Sequence, residues 1–231
     1  MDQILVDAFA LYDRPELLAM RSDMGGAVLV AHGWYSAVRG WARAALLLGE
    51  ANLSLECAPL RRSMIEHAAA LHWLADAPED VMATLKKAQQ ATVAKIEEAM
   101  GEGWSVPAEI FREILDPPVE GSKEDTNLHF TNRMRRDDQP NLLVAWLAET
   151  MVSHPSLSSA SPYLGTPQEP RVAVGALAAA SSDSNKTQVA LLLLLASGGF
   201  NRFLEGHPWA EALERMEARF GEAVHRQQPA D

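Results

Sequence analysis

"PLRRSMIEHAAALHWLAD", Pro59 to Asp76, is the stretch whose reading decides the fold class. Projected at about 100° per residue, Leu60, Met64, Ala68, Leu71, Leu74 and Ala75 fall on one broad apolar face, which is the period of a helix and not of a strand. His67 lies inside that face. Arg62, Glu66 and Trp73 share another face, about 140° away from His67, because five residues is not a same-face spacing. Pro59 suits the start of such a helix, and Asp76-Ala77-Pro78 ends it.

The same period recurs outward along the chain. Upstream, Asp2 to Leu11 forms a short helix, and Pro15 in "RPELLAMRS" suits the first turn of another helical piece. A long helix follows Asp23, its expected N-cap, and runs to Leu48 before Gly49. Gly26, Gly33 and Gly40 recur at one spacing within it; each internal glycine costs about 1 kcal/mol against alanine, so a close neighbouring backbone is expected there. Trp34 and Trp41 form an adjoining stripe that can wedge beside that neighbour.

Downstream, "APED" opens a helix that reaches about Met100, with Glu79 and Asp80 complementing its positive end. Residues 101–140 read as an irregular, mobile segment holding the short helix "VPAEIFREIL" and the charge run "RMRRDDQP". "NLLVAWLAETMVSH" restores a helix that Pro155 ends, and residues 153–184 are loop-rich, with "RVAVGAL" the one strand-like run. Lys186 to Leu204 and Trp209 to about His225 close the chain as helices. The expectation is one all-α domain over residues 1–231, a multi-helix bundle of about seven helices with an irregular, loop-rich insert.

Composition bounds the function classes. With 231 residues, 48% of them hydrophobic, the chain can fill a core without covalent staples. A net charge of −11 argues against a surface that grips nucleic acid or anionic lipid as a whole, and no DNA partner is expected. The single cysteine, Cys57, makes no intrachain disulfide and no cysteine-based zinc site. The acidic N-terminus lacks an export signal, and the most apolar run, "VALLLLLASGGF", is shorter than the roughly 20 residues a membrane span needs. A cytoplasmic protein without membrane contact is expected.

Two readings of the opening helix stand. In the architectural one, Arg62 and Glu66 form an ordinary helical ion pair, His67 is a core histidine bonded to a backbone carbonyl, and Arg61 and His72 sit at a helix-interface rim. The other rests on resemblance. Arg62-Ser-Met-Ile-Glu-His67 resembles the arginine, four to six residues, histidine motif of HEPN ribonucleases, which are compact helical proteins that act as dimers. The resemblance implies a homodimer cleaving RNA without metal or cofactor. Arg62 would neutralise the phosphate and its transition-state charge while His67 moved the proton.

A second resemblance covers more of the chain. "AHGWYSAVRGW", "APLRRSMIEHAAALHWLADAPED" and "ETMVSHPSLSSASPYL" together are similar to a helical family of unassigned function common in actinobacteria. It implies a helical fold; if Arg62, Glu66, Ser153, His154 and Ser156 converge, they make a polar pocket, since Pro155 fixes the chain beyond the helix end. Elsewhere, "NRMRRDD" supplies Arg133, Arg135 and Arg136 as auxiliary phosphate contacts if RNA binds, although Asp137 and Asp138 blunt its field. No serine-hydrolase elbow, His-Glu-x-x-His, P-loop or dinucleotide fingerprint is present. The alternative to the ribonuclease is a non-catalytic helical module that binds a small ligand or a protein partner.

Overall fold

The computed structural model describes residues 1–13, 18–100, 120–155, 160 and 182–227. Among the described residues the chain forms eight α-helices: α1 (Asp2–Ala10), α2 (Ala27–Glu50), α3 (Ala58–Asp76), α4 (Pro78–Met100), α5 (Phe130–Arg136), α6 (Pro140–Ser153), α7 (Ser182–Asn201) and α8 (Ala210–Gln227). Their only bridge of strand type pairs Met20 with Leu204. The architecture is an all-α bundle. No described helix is long and apolar enough to cross a membrane.

α2, α3 and α7 pack mutually and form the centre; α1 and α8 lie on α7, while α4 and α6 lie on α3. α2 buries Ala31, Tyr35, Val38, Ala42 and Ala45, a three- and four-residue rhythm that keeps one stripe inward. α7 is apolar on nearly every side, and it buries Val189, Ala190, Leu192, Leu193, Leu194 and Ala196 because neighbours surround most of it. Tyr35 stacks on Phe200 with ring centroids 4.6 Å apart, and its hydroxyl donates to Ser197 at 2.9 Å, so the ring is buried without stranding its polar end. Ser197 in turn donates to the Leu193 carbonyl at 2.7 Å.

Several local expectations are corrected. Gly33 and Gly40 face open space, and Gly26 meets only the end of Met82 at 3.8 Å. The close approaches are elsewhere: a Cβ at Gly49 would lie 2.5 Å from Asn185 Nδ2, and one at Gly199 would lie 2.8 Å from Leu71 Cβ. Asp23 does not cap α2, which starts after Gly26; it pairs with Arg21 instead. Leu18 to Arg21 is extended, not helical, and residues 14–17 lie outside the described residues.

The charge run is ordered into α5 and its flanking turn. Glu124, buried, accepts from Trp73 Nε1 at 2.6 Å and from Arg136 at 2.9 Å, which fastens residues 124–136 to α3. Within the segment read as irregular, residues 130–136 are thus helical; residues 101–119 and the strand-like "RVAVGAL" lie outside the described residues.

Candidate functional site

α3 presents a different element to each neighbour, and its residues are distributed accordingly. Arg61, assigned to a rim by the sequence reading, is only 7% exposed. Its Nε and Nη2 donate to the two oxygens of Glu149 on α6 at 2.8 and 2.9 Å. Its Nη1 donates to Asn185 Oδ1 on α7 at 2.8 Å and to the Ser54 carbonyl at 2.9 Å. Asn185 then donates to the Ala45 carbonyl on α2 at 2.8 Å. One guanidinium thus ties α2, α3, α6 and α7 together, with the planar fork of arginine matched to a carboxylate. Removing one partner of such a pair costs about 3–5 kcal/mol.

Beyond Arg61, α6 and α7 diverge and leave a groove of about 580 Å³ with α3 as its floor. Ile65, Ala69 and His72 line the floor, Leu142, Ala145 and Ala148 one wall, and Leu191, Leu192 and Leu195 the other. His72 is fixed there, since its Nε2–H donates to the Leu195 carbonyl at 3.0 Å. The far end is closed by the Asp76–Arg202 ion pair at 2.7 Å. Both ends are therefore charged and both charges are paired, while the middle is aliphatic. Gln139, Asn141 and Gln188 bring amides to the edge.

On the other flank of α6 lies a polar cluster. Arg62 Nε sits 3.3 Å from Glu66 Oε1, its Nη1 donates to His154 Nε2 at 2.5 Å, and its guanidinium lies over Trp146, 5.2 Å from the ring centre. Trp146 Nε1 donates to the same Glu66 oxygen at 2.7 Å. Because His154 accepts through Nε2, that nitrogen carries no proton here. Pro155 places this histidine by forcing its backbone extended, which ends α6 at Ser153.

Of the residues expected to converge, Arg62, Glu66 and His154 do. Ser153 does not join them; its hydroxyl turns back to the Glu149 carbonyl at 2.6 Å. Ser156 lies outside the described residues.

His67 is not part of this cluster. It faces α2, edge-on to Trp41 at 4.7 Å and to Trp34 at 6.0 Å, with Nδ1–H donating to the Ser63 carbonyl at 2.9 Å. Burial pulls its pKa below the ordinary value, the bonded carbonyl and Glu66 pulling weakly the other way. Within one chain, Arg62 and His67 open onto different neighbours and share no cleft.

The three arginines of the charge run also separate. Arg136 pairs with Glu124 and Asp137, and Arg135 is exposed. Arg133 is 5% exposed, over Trp73 at 4.8 Å and Phe130 at 5.7 Å, and burial lowers its pKa to about 10.

Sequence reasoning missed Arg61, Glu149, Asn185 and Trp146. A signal for Arg61 existed: Arg61, Ile65, Ala69 and His72 follow a four-, four-, three-residue rhythm, the stripe that meets α6 and α7. Among the described residues no three His, Cys, Asp or Glu side chains group as a metal site would require. Comparisons of the chain with protein-family models, with curated proteins and with solved structures give no match.

Proposed function

We propose that this chain is a cytoplasmic, non-catalytic helical module that binds a small, elongated and mainly apolar ligand in the groove between α6 and α7. The observation that carries the reading is the groove itself: its volume lies within the roughly 300–1,000 Å³ of ordinary ligand sites, and its lining is aliphatic with a few polar groups at the edge. Because Arg61 is bonded to Glu149 and Arg202 to Asp76, neither end offers a spare charge, so the ligand is uncharged, with a hydroxyl or carbonyl for the rim amides.

1-Decanol and decanoate, titrated into wild type and Ala145→Trp and followed by calorimetry, test it. Decanol is expected to bind more tightly than decanoate, and the tryptophan, which fills the groove from α6, to weaken it at least tenfold. Equal decanol affinity in wild type and variant, or no binding up to its solubility, overturns the reading.

A second reading, a HEPN-like metal-independent endoribonuclease of a toxin or defence system acting as a homodimer, has two observations in its favour. Arg62 is partly exposed and bonded to a histidine, His154, so an arginine and a histidine do meet near the surface. The exposed Val144, Leu147 and Met151 on α6 supply an apolar stripe for a second copy. RNA integrity in a host expressing wild type, His154→Ala or His67→Ala decides it. Intact RNA in all three removes the enzyme.

A further inference from the structure

Beside the polar cluster, and separate from the apolar groove, is a second cavity of about 290 Å³ lined by Glu66, Arg133, Trp146, Phe130, His129 and Thr131. Its unusual member is Arg133. This side chain is 95% buried, by its 5% exposure, yet it makes no ion pair with any described residue. Both of its described hydrogen bonds leave from Nη1, to the Asn127 and Leu128 carbonyls at 3.0 and 2.8 Å. Nε is enclosed without a partner, and Nη2 has none among the described residues.

A guanidinium carries five N–H donors, and leaving buried ones unmade is costly. Aromatic faces stabilise the charge of Arg133 but accept none of its protons in the plane of the group.

A simple anion would satisfy Arg133 but would meet Glu66 across the same cavity. Oε1 of Glu66 is engaged by Trp146 and Arg62, and Oε2 has no hydrogen-bond partner among the described residues. The cavity therefore asks for a ligand that accepts at one edge and donates at the adjoining one. An ammonium group would need further acceptors, whereas the carbonyl and N–H of a planar lactam need only one donor and one acceptor. Aromatic residues in the wall suit a flat ring, arginine donates to base carbonyls and a carboxylate accepts from base N–H groups.

We infer that Arg133 and Glu66 form a binding site for a nucleobase-type lactam, a class that includes guanine: Arg133 donates to its carbonyl, and Glu66 accepts from its ring N–H.

The site is tested by calorimetric titration of the full chain with guanosine, 1-methylguanosine and adenosine. Guanosine is expected to bind. 1-Methylguanosine, whose ring N–H is replaced, is expected to bind at least about tenfold more weakly, as is adenosine, which lacks the carbonyl. Glu66→Gln keeps a carbonyl oxygen for Trp146 and is expected to fold; it should weaken guanosine about tenfold and leave decanol affinity unchanged. Arg133→Met, examined in parallel with its thermal midpoint, should abolish guanosine binding.

A guanine-containing single-stranded trinucleotide that binds more tightly than guanosine would place the base in RNA; the reverse would place it in a free nucleoside. Equal affinity for the three nucleosides, no guanosine binding at millimolar concentration, or unaltered binding in Glu66→Gln overturns the assignment.

Discussion

α2 and α6 both lie against α3, and they are held there by opposite means. α2 presents Ala31, Tyr35, Val38, Ala42 and Ala45, all fully enclosed, and its side of the bundle is close-packed. On α6 the one buried residue carries a carboxylate, Glu149, while Val144, Leu147 and Met151 are exposed. α6 is fastened by directed polar bonds, Arg61 to Glu149 and Trp146 to Glu66, and by partly buried Leu142, Leu143 and Trp146. A helix attached at points, not along a continuous apolar seam, leaves space beside it. The groove and the Arg133 cavity both lie along α6 for that reason.

The largest effect should come from breaking the polar attachment. Glu149→Leu leaves Arg61 charged and enclosed without its carboxylate and is expected to cost about 3–5 kcal/mol in urea unfolding. Arg61→Met combined with Glu149→Leu replaces the pair with apolar side chains and should recover most of that loss. If the single change costs less than about 1 kcal/mol, in the range of exposed pairs, α6 is held by apolar contact after all and the contrast with α2 fails.

This attachment was also the least legible part of the sequence. The helix over Pro59 to Asp76, the i,i+4 pair Arg62–Glu66 and the end of α6 at Pro155 follow from local spacing and backbone rules, and they are present. Which of two adjacent arginines is buried is not a local property. It depends on Glu149, 88 residues away, and on Asn185, 124 residues away. Nothing local distinguishes Arg133 from Arg135 and Arg136 either, since the aromatic face of Trp73 that covers it comes from another helix. Gly33 and Gly40 share one face of α2, but their spacing could not say that this face is bare.

The glycines give a smaller, sharper contrast within α2. Gly49→Ala would drive a methyl into Asn185, which holds Arg61, and is expected to destabilise by about 1–3 kcal/mol. Gly40→Ala meets nothing and removes backbone freedom from the unfolded chain, so it should stabilise by about 0.5–1 kcal/mol. Thermal unfolding of the two variants should therefore shift in opposite directions. Shifts of the same sign would mean that the α2 end near Asn185 yields as easily as its open face.

The smallest effect concerns His67, on the packed α2 side. Burial between Trp34 and Trp41 favours its neutral form, so its folded pKa lies below the ordinary value of about 6.5. The unfolded chain then binds more protons than the folded one just below that value. His67 contributes stability above about pH 6.5 that is lost as the pH falls toward its folded pKa. Between pH 7.5 and 5.5, wild type should lose more stability than His67→Gln, measured as the difference in urea midpoints. A steeper loss in the variant would mean that the folded protein holds His67 protonated. That is what a phosphate-binding cleft would do, and an aromatic slot against α2 would not.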